Sequence, residues 1–475
     1  MKRAERHISM RLMVKVAAGL ALAVIAGCGG SGTVGGPGRA ASAAAVHRLP
    51  TVAASPLKGN GELAFIARGK LFLSGGPTKG SRHVPLPGIP YAPAWSANDR
   101  WLAVEVSSPP PPGQPYLYGT LPARIWLVNA AGTAARPLTP KSWQVSGFAW
   151  APHEGVLAVA AYLPRATQDR SDLAATVALT GRTRVLVRGG YVTGPAWSPD
   201  GRRIAVGLGA FTGGRWRSEL DVVSAAGGSP TVVTATTGNV LDLAGWWPDG
   251  NGLLYWFDFQ GSGSIAADGL PLDRVALAAP RPRTLVKTML VHWPWLAFSP
   301  RGSSLAAVSG GDRVIWSGRK HITLCGPGGT CTSVAQPAGV VSADPSWSPG
   351  GTAVAFARLS ASGPFGPNGH ADFSRYWITR WEATSEIWIV SADGSGARPL
   401  AAAGRGAVDP VWGSGGSLLF VRHDSLWLLP ASAATATRLT SALGALSGGP
   451  YYLSYYGYVP YPQFFAWTLA RPQGQ

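Results

Sequence analysis

Asp344 and Asp409 are the residues of this chain whose placement could do chemistry. Each stands three places before an aromatic residue, Trp347 or Trp412, and each is followed by proline. Two carboxylates at equivalent positions of neighbouring repeats could hold a cation between them or divide acid and base roles at one substrate. The same Asp-Pro pair could also do no more than start a strand through an Asx-type turn. Other catalytic signatures are absent. There is no Gly-x-Ser-x-Gly, since Gly261-Ser262-Gly263-Ser264-Ile265 breaks at its last position, and no His-Glu-x-x-His, calcium loop or phosphate-binding loop. The histidines are scattered, with His7 and His47 near the N-terminus, and none stands out as a ligand. No cofactor and no metal are expected. Cys325 and Cys331 flank Gly-Pro-Gly-Gly-Thr. With His321 they make three potential metal ligands and no fourth, so a disulfide stapling a hairpin is the stronger reading.

What must position these groups is a repeat. A tryptophan-led phrase recurs, clearest at Trp197-Ser198-Pro199-Asp200-Gly201, Trp246-Trp247-Pro248-Asp249-Gly250 and Trp347-Ser348-Pro349-Gly350-Gly351. Weaker copies begin at Trp95, Trp150, Phe298 and Trp412, so most anchors lie about fifty residues apart. Between anchors the order is constant. A short strand runs into the aromatic, a Ser-Pro-Asp-Gly turn leads to a buried strand such as Ile204–Leu208, and a third strand, a second glycine turn and a fourth strand follow. No sustained helical period interrupts this order. Four short antiparallel strands per repeat, arranged radially, make an all-β fold: a β-propeller of four-stranded blades.

The ends complement each other. Glu62–Ile66, Lys70–Leu73 and His83–Leu86 read as strands two to four of a blade, and Phe464–Thr468 reads as the missing first strand. Their pairing would close the ring and leave no open edge. That count predicts eight blades, or seven if one weak repeat is only a loop excursion. The phrases "P-x-W-S-P-D-G-x-x-I-A" and "I-W-x-V-x-A-D-G-x-x-x-R-x-L" resemble the WD-like propeller repeats of the TolB family, over roughly residues 57 to 470. Prolyl-oligopeptidase-type peptidases carry the same repeat, and no segment of this chain is left over for a hydrolase domain. The TolB resemblance implies a propeller and leaves function open. It also departs from TolB, because an α/β domain ahead of the propeller is lacking.

Residues 1–27 read as a lipoprotein signal. Lys2, Arg3, Arg6, Arg11 and Lys15 precede the apolar run Val16–Ala26, and Ala26-Gly27-Cys28 resembles a lipobox. Cys28 is the expected lipidation site. Residues 28–56, rich in Gly, Ser, Ala and Pro, form a flexible tether able to stand the 57–475 propeller roughly 30 Å from a membrane. This places the protein on the extracytoplasmic face of a bacterial cell membrane.

Only 13% of residues are charged, and the formal net charge is +18. Removing five basic residues and Glu5 with the signal leaves about +14. Such an excess either attracts acidic partners, namely an envelope protein or an anionic wall polymer, or reflects scattered surface arginines. Nucleic acid is excluded by compartment and by the lack of any recognition motif.

Three long insertions, 107–122, 359–384 and 441–463, all map to the face opposite the short Ser-Pro-Asp-Gly turns, the usual functional face of such scaffolds. The first carries Pro109–Pro112 with Tyr116 and Tyr118. The second carries Phe373, Arg375, Tyr376, Trp377, Arg380 and Trp381. The third carries Tyr455, Tyr456, Tyr458 and Tyr461. These are interface residue types, which bind a partner unless they fold down to cap the channel. The sequence therefore predicts a monomeric, non-enzymatic envelope lipoprotein that binds a protein or wall polymer. The alternative is a propeller-type lyase or hydrolase acting on an anionic glycan at the channel, with Asp344 and Asp409 in its site.

Overall fold

The computed structural model describes residues 57, 60–74, 80–109, 122–153, 155–163, 171–189, 191–259, 261–317, 319–364, 375–440, 443 and 460–468. These residues form eight four-stranded antiparallel sheets arranged in a ring as a β-propeller. Blades one to seven follow the order of their aromatic anchors, Trp95, Trp150, Trp197, Trp246, Phe298, Trp347 and Trp412. The eighth takes Leu63–Ala67, Lys70–Ser74 and Ser81–Val84 from one end and Phe465–Trp467 from the other. Leu63 pairs with Trp467 and Phe65 with Phe465, so the last strand closes the ring beside the first. No weak repeat is a loop excursion, and the seven-blade alternative is excluded.

Burial falls from the inside outward. The second strands are almost wholly buried, as in Trp101–Ser107 and Ala353–Ser360. Fourth strands such as Thr231–Thr237 and Arg398–Pro399 are largely exposed. Alternation along the inner strands feeds apolar side chains into the layers between adjacent blades, which is where the core lies.

The recurring tryptophan has a specific task. Its indole N–H donates to a backbone carbonyl of the preceding blade, at the residue just before that blade's own anchor. Trp150 reaches Ala94 (2.9 Å), Trp197 reaches Ala149 (3.1 Å), Trp246 reaches Ala196 (2.9 Å) and Trp347 reaches Ala297 (2.9 Å). Trp95 reaches Ala466 in the closing strand (3.2 Å), so the chain of bonds crosses the closure. An aromatic with a donor at its far edge fills the wedge between blades and satisfies a carbonyl there. The turn after the anchor is held by its serine. The Ser198 hydroxyl donates to Asp200 (2.5 Å) and accepts from the Arg203 N–H (2.9 Å), while Gly201 takes φ +68°.

Cys325 and Cys331 are joined by a disulfide across the third-to-fourth hairpin of blade five. No described helix is long and apolar enough to cross a membrane. Cys28, the tether, Tyr116, Tyr118, Phe373, Tyr455, Tyr456 and Tyr458 lie outside the described residues.

Candidate functional site

Asp344 and Asp409 do not start their strands. Blade six's first strand runs Val340–Trp347 and blade seven's runs Ala407–Trp412, with each aspartate inside. Each sits at a bulge, where pairing with the second strand skips from Ala343 to Ser346 and from Val408 to Val411. Both adopt left-handed backbone, with φ 55° and 49°. The bulge is a property of the repeat, since Ala92 and Gly194 take the same place in blades one and three, with φ 47° and 88°, each before a proline. Aspartate tolerates this conformation better than most residues, though at a cost. A bulge re-aims the side chain it carries, and in two neighbouring blades that side chain is a carboxylate beside the propeller axis.

The two residues are joined through the backbone of one and the side chain of the other. The Asp409 backbone N–H donates to the Asp344 carboxylate, which also accepts from the Trp295 indole N–H (3.1 Å). Trp295 lies in the turn Trp293–Trp295 that enters blade five, fully buried, with His292 edge-on at 5.2 Å. Burial raises the Asp344 pKa to about 6, against the pull of those two hydrogen bonds. Asp409 is buried, and burial followed by the charges of Asp344 and Glu382 raises its pKa well above the ordinary carboxylate value. Both acids are thus held above the ordinary carboxylate range, and the two hydrogen bonds favour the charged form of Asp344 rather than of Asp409. Burial pushes His292 down to about 3, leaving it neutral.

One long insertion reaches this pair, and a second packs against the first. The helix Arg375–Glu382, in the 359–384 insertion, ends on Glu382, which is buried and close enough to Asp409 to raise its pKa. The 441–463 insertion delivers Tyr461, 1% exposed, whose hydroxyl donates to Asp424 (2.6 Å) and lies 3.4 Å from Glu382. Asp424 occupies the second-to-third turn of blade seven. Four acids and a phenol thus gather at one end of the channel. Glu382, Asp424 and Trp295 were not legible as site residues, because nothing in their local sequence distinguishes them. Other acids with raised pKa lie elsewhere near the axis. Glu105 in blade one rises to about 7 through burial, opposed by a bond from Tyr91, and Asp242 in blade four rises to about 7 through burial and Asp258. Among the described residues, no group of three or more His, Cys, Asp or Glu side chains is arranged to hold a metal.

The insertion residues divide in two. Trp381 is 3% exposed, so it is not the open recognition residue the sequence suggested. Its indole donates to Ser360 (2.7 Å) and its ring meets Trp316 edge-on at 5.4 Å. Trp316 belongs to a blade-five segment pinned by buried Lys320, which donates to the carbonyls of Gly311, Asp312 and Ser317. Tyr376 and Arg380 remain exposed and Trp377 partly so, with Arg380 5.5 Å above the Tyr376 ring and 5.6 Å above Trp377. Arg375 begins the same helix. Among the described residues, the exposed aromatic side chains Phe211, Phe259, Trp293 and Tyr376 all lie on this long-loop face.

No family model and no curated protein matches the chain. Solved structures share its fold. Dipeptidyl peptidase 4 of Porphyromonas gingivalis matches at 10% identity with a TM-score of 0.51, over 81% of this chain and 60% of that one. A puromycin hydrolase matches at 17% identity and TM-score 0.45, over 78% and 57%. TolB from Acinetobacter baumannii matches at 15% identity and TM-score 0.34, over 73% and 66%. The chain thus spans less than two thirds of the length of the first two. These likenesses concern the fold. They correct the expectation of a non-enzymatic protein, which rested on taking the bare propeller for a binding scaffold: the same fold occurs in a peptidase, so the fold does not mark a scaffold.

Proposed function

We propose that this chain is a propeller-type envelope enzyme, a lyase or hydrolase, working by acid–base chemistry at the Asp344–Asp409 pair on an anionic glycan. The observation that carries the reading is a pair of buried carboxylates from adjacent blades with pKa values pushed apart, with Glu382 of a long insertion beside them. Such divergence is the physical basis for assigning one member as acid and the other as base. Asp409 holds the proton and donates it to the departing glycosidic oxygen as the C–O bond breaks. Asp344 accepts a proton, from an attacking water in hydrolysis or from the carbon next to a carboxylate in elimination. Trp295 and the Asp409 N–H hold the base in place. Because the pair carries one negative charge rather than two, an acidic sugar is repelled less than the acid count suggests.

Tyr376, Trp377 and Arg380 sit on the helix that ends in Glu382, so rings able to stack on sugar and a cation able to meet its acid groups are coupled to the site. Lipidation at Cys28, a tether over 28–56 and a monomeric state on the extracytoplasmic face complete the proposal. Replacing Asp344 or Asp409 by asparagine abolishes turnover of an acidic glycan on this reading. Unchanged turnover in either variant excludes the site.

A further inference from the structure

On the opposite face, away from the carboxylates and the long insertions, blades two and three enclose a groove of about 720 Å3 between their turns. That volume falls in the roughly 300–1,000 Å3 range of small-ligand sites. Arg182 comes from the third-to-fourth turn of blade two, Arg184 from its outer strand, and Arg202 from the first-to-second turn of blade three. All three are exposed. Thr176, Thr183 and Ser224 line the same space, and among the described residues no Asp or Glu is part of its wall. Among the described residues no ion pair holds Arg182, Arg184 or Arg202. Asp200, whose charge is felt by Arg202, accepts hydrogen bonds from the Ser198 hydroxyl and the Arg202 backbone N–H. One Arg184 nitrogen donates to the Ala226 carbonyl, which ties the two walls together and leaves the rest of its fork available.

We propose that this groove binds the phosphodiester groups of an anionic wall polymer. Guanidinium forks match the paired oxygens of a phosphate, and hydroxyls add neutral donors beside them. Apolar wall atoms of Val156 and Ala178 suit the carbon skeleton between successive phosphates. A recessed groove selects a chain segment over a flat lipid surface. The site stands apart from the channel carboxylates and does not depend on what they do.

The test is titration of the full chain with soluble poly(glycerol phosphate) at physiological salt, with uncharged dextran as the control and phosphatidylglycerol vesicles as a separate arm. Three forms are compared: wild type, the triple variant R182A/R184A/R202A, and Arg202→Glu alone, which keeps the Arg184–Ala226 tie. The proposal expects binding of the polymer and not of dextran, weakened roughly tenfold or more in both variants, in line with loss of charge-assisted bonds. Equal affinity in wild type and variants overturns it, as does no binding by wild type. Vesicle binding that falls in the variants while polymer binding does not would reassign the groove to the membrane and overturn it as well.

Discussion

Replacing Asp344 by asparagine should make this protein more stable above neutral pH while removing its chemistry. The folded-state pKa of Asp344 is about 6, raised chiefly by burial, against 3.8 for the free group. Below pH 4 the carboxyl is protonated in both folded and unfolded chains, and it favours neither. As pH rises the unfolded chain releases its proton first, so the native state binds more protons and stability falls until both forms are ionised, above about pH 6. A shift of about two units at 1.36 kcal/mol each costs the folded state roughly 3 kcal/mol at pH 8. Asparagine is isosteric and does not titrate, so this loss disappears. Relief of Asp409 from the charge of Asp344 acts in the same direction. An offset of about 1 kcal/mol arises because either Trp295 or the Asp409 N–H loses a carboxylate acceptor. Urea unfolding of both proteins at pH 4 and pH 8 measures the difference. The expected result is near-equality at pH 4 and a variant more stable by about 2 kcal/mol at pH 8. A variant that is no better at pH 8 than at pH 4, relative to wild type, refutes the argument from burial.

Other consequences are equally direct. Tyr461→Phe removes the 2.6 Å bond to buried Asp424 and should cost about 1.5–3 kcal/mol in urea unfolding, as for bonds to a charged group; no loss would mean that Asp424 finds another donor. Trp197→Phe leaves the Ala149 carbonyl without its indole partner and should cost about 1–3 kcal/mol, whereas the same change at Trp412, whose indole nitrogen has no hydrogen-bond partner among the described residues, should cost less. Replacing Cys325 and Cys331 by serine opens a short loop and should lower stability by about 2 kcal/mol on the chain-entropy account, with the same denaturation assay reading it.

The propeller was legible because its repeat is enforced in five of the eight blades by one physical need, an indole donor spanning the wedge to the previous blade's carbonyl. Phe298 shows the boundary of that rule, since phenylalanine can fill the wedge but not donate. Asp344 and Asp409 were legible as equivalent residues in neighbouring blades. Their backbone role was not, because a bulge within a strand and a turn before one leave the same Asp-Pro trace in sequence. Glu382, Asp424, Tyr461 and Trp295 come together only in the folded ring. Tyr461 lies 79 residues from Glu382, and Trp295 lies 49 from Asp344, and local pattern says nothing at such separations. Trp381 illustrates the converse. An aromatic in an insertion can face solvent or fold inward, and what decides here is Trp316 on the neighbouring blade.

The decisive measurement is the pH dependence of turnover on an acidic polysaccharide, with wild type, Asp344→Asn and Asp409→Asn compared side by side after each is confirmed folded. The account expects a bell-shaped wild-type profile whose acidic limb lies near the Asp344 pKa of about 6 and whose alkaline limb reports Asp409. Each variant should lose at least roughly a hundredfold in rate. Turnover that persists at the full wild-type rate in either variant would contradict the assignment of this pair as acid and base.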